Sequence, residues 1–411
     1  MVFYYIQPKY FTKFRCIGGD CPYNCCEGWN IYWTKEEVDK LKSADLSDSL
    51  KELINNSFKM VEVEGKKLYN IKLQLMIKNL TTTDHISKFF TCPFIEHSTG
   101  LCRIQKEVGE DYLSRICKGY PRNYVQSGNF IFRQCSTSCP PVIDMIANDE
   151  TAVELENRLA REDVKKANNA SLKVDNDKDF SEYPILRYRF TILDFYSVIF
   201  NNKNISIENA IILGALATKH LEELSEKRKY DTIPKLLNDL KSQLVDPKTI
   251  KSLDELKPNY KLKFKLVNNM VFHLWRDHKE YFDLSVLHDG QELIEENYIF
   301  GINNFLKSVN NKNFVLRNII INSFYNFNTP FGKMEHSLFD NYAFFVVYAA
   351  SIVSIAAAVG YKNGNIFEEF KRAISRLNRT LSHNFQNAEK LIHEFETFGI
   401  TTPAHLALII K

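Results

Sequence analysis

The sequence predicts a mainly α protein built as a small cysteine-rich, metal-organised α+β N-terminal module followed by a helical domain. Three observations carry this expectation. All nine cysteines lie at or before residue 139. The stretch from Thr91 to Pro141 is rich in turn residues and holds five of those cysteines. From residue 186 onward, apolar residues recur almost throughout at helical spacing.

Residues 1–33 read as irregular, with turn signals at Gly18-Gly19 and Asp20. Thr34 and Glu37 form a capping box, so a short helix is expected to start there. Residues 60–74 (MVEVEGKKLYNIKLQ) alternate around Glu64-Gly65 and predict a hairpin. With the turn-rich stretch, these make a cysteine-rich metal- or iron–sulfur-binding module over residues 1–145. A helix and a polar linker (ANNASLKVDNDKD) are expected within residues 146–185. Residues 186–411 make an all-helical domain. Its helices are expected near 186–201, 205–228, 232–242, 262–284, 292–308, 313–326, 336–360, 364–383, 387–397 and 403–410. Asn, Asp, Pro and Gly punctuate them, and no fixed repeat suggests a solenoid.

The chain has 411 residues, 45% of them apolar and 25% charged, an ordinary balance for a soluble globular protein. Only 15 residues are Gly, which leaves few for phosphate-cradling loops. The net charge of +3, without a basic stripe, gives no reason to expect a nucleic-acid partner. The start, MVFYYIQPKYFTKF, lacks the apolar h-region of a signal peptide. A cytoplasmic location is therefore expected, and clustered thiols in a reducing compartment hold metal rather than disulfides. Tyr342 to Val359 (YAFFVVYAASIVSIAAAV) carries no charge and reaches the length of a membrane span. It is rich in Ala and Ser, has no flanking basic cluster and stands alone. It reads as a helix buried on all sides, and no membrane association is expected.

The cysteines fall into three groups: Cys16-x4-Cys21-x3-Cys25-Cys26, Cys92-x9-Cys102-x14-Cys117, and Cys135-x3-Cys139-Pro140. Short separations let one loop present two thiolates, and longer ones close the cage. Zinc and iron–sulfur clusters each prefer four protein ligands per centre. Nine cysteines exceed that number, so either two centres exist or several cysteines are packed thiols. Any single Cys can be a small buried hydrophobe. Confinement of all nine to the first third of the chain points to metal instead. Spacing alone leaves zinc and iron–sulfur open, although Cys139-Pro140 and Cys92-Pro93 resemble ferredoxin-type ligation. The C-x3-C-x2-C loop of radical S-adenosylmethionine enzymes is missing, and no G-x-G-x-x-G follows a strand.

The residues resemble a known family. Phe14-Arg-Cys16-Ile-Gly-Gly-Asp-Cys21-Pro-Tyr-Asn-Cys25-Cys26-Glu-Gly-Trp29 is similar to the opening of the flagellin lysine-N-methylases. So are Cys92-Pro-Phe, Leu101-Cys102-Arg-Ile-Gln105, the run from Gly109 through Cys117 to Tyr120-Pro121-Arg122, and Ser138-Cys139-Pro140. Near the C-terminus, Ser375-Arg376-Leu-Asn-Arg379-Thr-Leu-Ser-His383-Asn384 resembles the family's Arg-rich helix. The resemblance implies transfer of methyl groups from S-adenosylmethionine to lysines of flagellin, with an iron–sulfur cluster (4Fe–4S). It implies Cys16, Cys21, Cys25, Cys26, Cys92, Cys102, Cys117 and Cys139 as the metal ligands, and it leaves Cys135 outside the pattern. A related cysteine pattern occurs in zinc- or iron-chelating proteins. A chelating or structural binding protein without methyltransferase activity is therefore the alternative, and a membrane-anchored redox protein the remotest reading.

Arg122 can bind a carboxylate, such as that of S-adenosylmethionine, through a bidentate fork, or it can cap a turn. Tyr120 can hydrogen-bond a cluster sulfur or help deprotonate lysine, against a default of packing. Arg379 and His383 share a helix face at i and i+4. Trp29 and Trp33 read as core or as a lid, and His85 and His97 lack ligand spacing. No residue is assigned as the base that takes the lysine proton.

Overall fold

The protein is described by a computed structural model covering residues 3–21, 25–26, 31–63, 65–79, 86–160, 172–174, 177–244, 246–272, 283–290, 292–332, 336–362, 364–382 and 385–411. Trp29, His85, His383 and Asn384 lie outside the described residues. The chain divides into two compact units. Arg15–Arg122 with Cys139–Pro141 form a cysteine-rich unit, and Met1–Phe14, Asn123–Ser138 and Val142–Lys411 form a helical unit. Residues 1–14 and 123–138 therefore group with the helices rather than with the cysteine module that the sequence suggested over residues 1–145.

The helical unit is organised around the Leu338–Tyr361 helix. Ser337 caps it by accepting from the Asp340 N–H at 3.0 Å. Most of its most apolar 18-residue window, 89%, is buried inside the protein, as expected of a core helix. The hydroxyls of Ser351 and Ser354 donate to the carbonyls of Val347 and Ala350 at 2.8 and 3.0 Å, so the apolar surroundings leave neither unpaired. Glycine sets the distance to the neighbouring Glu295–Ser308 helix. A Cβ on Gly301 would stand 2.0 Å from the Ala357 carbonyl oxygen, and one on Gly360 would stand 2.0 Å from that of Gly301. The helices Ile207–Glu226, Ile366–Ser382 and Pro403–Ile410 pack on the same central helix.

This unit also carries a five-stranded sheet in the order Leu155–Ala160, Phe3–Pro8, Phe130–Cys135, Arg122–Ser127, Leu172–Val174. Phe3–Pro8 runs antiparallel to Leu155–Ala160 and parallel to Phe130–Cys135. Two expectations are corrected here. Residues 3–8, read as irregular, form a strand, because Phe-Tyr-Tyr-Ile favours a pleated, half-buried surface. Part of the expected linker, Leu172–Val174, pairs parallel with Val125–Ser127, and Val174 is buried. The helical expectations from residue 186 onward otherwise match to within a few residues, with two exceptions. A helix at Pro247–Asp254 was not foreseen, and the expected 262–284 helix is described only as Tyr260–Val267 followed by a π-turn at Asn268–Phe272.

In the cysteine-rich unit, the helix Lys35–Lys42 starts from the foreseen capping box. The Glu37 N–H donates to Thr34 Oγ1 at 3.3 Å, and the Thr34 N–H donates to Glu37 Oε2 at 2.8 Å. The foreseen hairpin is Phe58–Val63 paired antiparallel with Lys66–Ile71. Gly65 at φ +72° turns it, a conformation that costs glycine little. Tyr32–Trp33 adds a third strand, and Gln74–Asn79 pairs with Ile86–Thr91 in a second hairpin. Trp33, Leu41, Leu50, Ile54, Phe94 and Ile104 form the core of this unit, and Cys92 is buried among them. Cys26, Cys102 and Cys117 pack against the same cluster.

Candidate metal centre

Five cysteines from four separate segments converge in the cysteine-rich unit. Cys25 and Cys26 sit in a turn, and the Cys26 carbonyl accepts from the Cys92 N–H at 2.8 Å, which ties that turn to the end of the Ile86–Thr91 strand. Cys102 ends the short strand Leu101–Cys102 opposite Ile95. Cys117 lies in the helix Arg115–Gly119, where its N–H donates to the capping hydroxyl of Ser114 at 3.1 Å. The Arg115 N–H donates to Glu37 Oε1 at 2.8 Å, so one carboxylate serves two helix starts.

The thiols interact directly. Cys26 is hydrogen-bonded to the side chains of both Cys25 and Cys92 and feels Cys102 as well. Cys102 feels Cys25, and Cys117 feels Cys102, Cys25 and Glu37. Burial pushes the Cys117 thiol up to about 12 and raises Cys102. For Cys26, the hydrogen bond from Cys25 lowers the pKa, but the Cys92 hydrogen bond, burial and the neighbouring thiols outweigh it and hold it well above the usual thiol range. Thiols crowded in this way stay protonated until a cation is brought among them, when coordination removes the protons.

Cys16 and Cys21 lie on an adjoining loop of the same unit. Cys16 is exposed and its Sγ accepts from the Gly18 N–H at 3.4 Å; Cys21 is half-buried. Close backbone approach holds this loop against the turn before Cys102. A Cβ on Gly19 would stand 2.1 Å from the Thr99 carbonyl oxygen, and Gly100 adopts φ +67° facing Gly19. Cys139 is buried and groups with this unit. Cys135 is buried in the helical unit, where its carbonyl accepts from Tyr10 Oη at 3.1 Å and from Asn322 Nδ2 at 3.0 Å.

Among the described residues, no three His, Cys, Asp or Glu side chains already stand in the arrangement that would grip a single metal ion. The donor set nevertheless suits a thiolate-ligated centre in number and kind. Cys26 is hydrogen-bonded to Cys25 and Cys92, Cys102 and Cys117 stand within electrostatic reach of these thiols, and such centres take four protein ligands. None of the nine cysteines is disulfide-bonded.

Tyr120 follows the Cys117 helix and Arg122 opens the next strand; both are half-buried. Sequence reasoning missed a buried polar cluster of the helical unit. The segment Ser136–Thr137–Ser138, immediately before Cys139, is held by the Ile366–Ser382 helix. Ser375 Oγ donates to the Ser138 carbonyl at 2.6 Å, and Arg379 Nε and Nη2 donate to the same oxygen at 3.3 Å. Asn378 Nδ2 donates to Thr137 Oγ1 at 2.8 Å, and its Oδ1 accepts from Ser136 Oγ at 3.1 Å. The spacing Ser375, Asn378, Arg379 on one helix face was the available signal.

The FliB lysine N-methylase C-terminal domain matches residues 194–409, just over half of the chain. The lysine-N-methylase of Salmonella typhimurium is 22% identical over 410 residues, covering 95% of this chain and 95% of that protein. The flagellar biosynthetic protein FliU of Salmonella muenchen is 28% identical over 195 residues, 47% of this chain and 95% of that protein. The lysine-N-methylase of Salmonella choleraesuis is 29% identical over 150 residues, 36% of this chain and 34% of that protein. No solved structure matches the chain significantly. With the characteristic domain spanning its helical part, the chain belongs to the FliB lysine N-methylase family.

Proposed function

We propose that this chain is a cytoplasmic methyltransferase that moves methyl groups from S-adenosylmethionine to lysine ε-amines of flagellin, and that its cysteines hold an iron–sulfur cluster (4Fe–4S). The observation that carries the reading is the alignment with a lysine-N-methylase along 95% of both chains, which spans the cysteine-rich unit as well as the helical part. The likeness to a protein named for flagellar biosynthesis supports flagellin as the substrate. A chelating protein without enzymatic activity needs only the cysteine module, so the match over residues 194–409 favours the enzyme.

Cys25, Cys26, Cys92, Cys102 and Cys117 are the first candidates for ligands, with Cys16, Cys21 and Cys139 as further donors from the same unit. When bound, the cluster would supply a rigid crosslink among segments otherwise joined by hairpins and short helices. Arg122 offers a fork for the carboxylate of S-adenosylmethionine, and Tyr120 offers a hydroxyl two residues away. In the transfer, the lysine nitrogen forms a bond to the methyl carbon as the carbon–sulfur bond of the sulfonium breaks. S-adenosylhomocysteine leaves, and the methylated nitrogen then sheds a proton. A lysine pKa near about 10.4 requires that the chain desolvate the amine or pass its proton to a base.

The test is transfer of a labelled methyl group from S-adenosylmethionine to the cognate flagellin by anaerobically reconstituted protein. Label in flagellin and not in an unrelated lysine-rich protein is expected. No label from protein that carries a cluster and binds S-adenosylmethionine overturns the substrate. Failure to bind S-adenosylmethionine overturns the enzyme reading.

A further inference from the structure

A cavity of ≈ 380 Å³ opens in the helical unit beside the start of the central Leu338–Tyr361 helix. That volume suits a small molecule or an inserted side chain. Tyr183, Ile185, Phe331 and Leu338 give it apolar walls. Glu222 and Glu226, one turn apart on the Ile207–Glu226 helix, give it an anionic one. Glu222 is only 8% exposed and is already answered: it accepts from the Phe339 N–H at 3.1 Å and from Lys219 Nζ at 2.6 Å. Glu226 is exposed and makes no salt bridge among the described residues. His336 completes the lining, and its Nε2 lies 2.9 Å from both carboxylate oxygens of Glu389, on the Phe385–Thr397 helix. A carboxylate at Nε2 selects the tautomer with its proton there, which leaves the lone pair on Nδ1. A histidine oriented in this way by a carboxylate is the usual arrangement of a proton acceptor.

The lining selects its ligand by charge. No Arg or Lys is among its described residues, so a carboxylate or phosphate meets like charge there. That argues against the amino-acid end of S-adenosylmethionine. An aliphatic chain ending in an ammonium matches both the apolar and the anionic walls. We propose that this cavity receives the acceptor lysine of the protein substrate, with Glu226 drawing in the ammonium and His336, oriented by Glu389, accepting its proton at Nδ1. The assignment rests on the methyl transfer to lysine proposed above, and it supplies the base which that reaction lacks. An N–H bond of the ammonium breaks and the proton passes to Nδ1. The neutral amine keeps the electron pair that attacks the methyl carbon, and the imidazolium returns its proton to solvent. Imidazole is the weaker base, so the exchange is uphill. Burial of the amine among Ile185, Phe331 and Leu338 and the charge of Glu389 beside the imidazolium both narrow the gap.

The experiment uses the full chain and has two readouts. In the first, N-acetyl-lysine amide with a diazirine in its side chain is photolysed on the protein, and the labelled residues are mapped by mass spectrometry. Label is expected at Tyr183, Ile185 or Leu338, competed by unmodified N-acetyl-lysine amide and reduced several-fold in Glu226→Gln. Label elsewhere, or equal label in Glu226→Gln, overturns the pocket whether or not the protein methylates flagellin. Label here from protein that methylates nothing supports the pocket as a lysine site and overturns the methyl-transfer reading instead. In the second, His336→Ala should photolabel like the parent but lose flagellin methylation about a hundredfold, with partial rescue by added imidazole. Should that variant fail to fold, Glu389→Gln should lower kcat and leave KM for flagellin and the photolabelling unchanged. Methylation equal to the parent in either variant, or a loss in His336→Ala that imidazole does not lift, overturns the role of His336.

Discussion

Cys117 and Cys135 carry the same side chain into different chemical company. Cys117 faces other thiols, whereas Cys135 lies in a sheet strand whose backbone is fixed by Tyr10 and Asn322. Replacing Cys117 or Cys25 with Ser should therefore abolish or sharply reduce bound metal, while Cys135→Ser should retain it. Metal per chain, measured after anaerobic reconstitution, decides this, and equal loss in all three variants would reject the ranking. Asn378 has Ser136, Thr137 and Tyr348 as buried partners, so Asn378→Ala leaves several polar groups unsatisfied. A loss of about 1–3 kcal/mol is expected in denaturant unfolding of the helical unit. At this scale the sequence was informative wherever residue type alone decides. The Thr34–Glu37 box and Gly65 at the hairpin turn could both be read directly. For the buried Ser136–Ser138 cluster the spacing of Ser375, Asn378 and Arg379 marks a polar helix face, but not its partners, which lie more than 200 residues away.

The elements show where periodicity suffices and where it fails. Long amphipathic helices such as Ile207–Glu226 declare themselves, because one face must be apolar over several turns. The strands Phe3–Pro8 and Leu172–Val174 do not, since each is short and is stabilised by partners distant in sequence. The loop Gly18–Asp20 was legible as a turn, but its docking on the Thr99–Gly100 backbone was not. Gly19→Ala puts a Cβ where the Thr99 oxygen stands, so it should displace the Cys16–Cys21 loop and lower metal retention under chelator challenge; retention equal to the parent would contradict this. At the opposite end of the chain, Lys263 is buried and its Nζ donates to the carbonyl of Ile410 at 3.0 Å, which anchors the Pro403–Ile410 helix. Burial lowers its pKa from 10.5 to about 8. Between these values the unfolded chain binds the extra proton, so this residue makes stability rise with pH from about 8 to 10.5 and level off above. Lys263→Met should flatten that part of the profile of thermal midpoint against pH; an unchanged slope would assign the dependence elsewhere.

For the whole molecule, the helical spacing of apolar residues foretold a mainly α chain, and the charge-free stretch is a buried core helix as expected. The division between units was harder to read. The chain leaves the helical unit after residue 14 and rejoins it at residue 123, and a linear sequence does not show such an excursion. Because the candidate ligands come from segments far apart in the chain, the proposed metal closes long loops, and its removal should raise the protease sensitivity of residues 15–122 while largely sparing residues 186–411. Uniform resistance of both after chelation would count against a structural role. The most direct test of the proposed activity is mass spectrometry of the cognate flagellin after anaerobic incubation with S-adenosylmethionine and either the parent protein or Cys117→Ser. The account predicts mass gains in steps of about 14 Da on flagellin lysines with the parent protein, falling at least tenfold with the metal-free variant. Flagellin left unmodified by parent protein that carries a cluster and binds S-adenosylmethionine would contradict it.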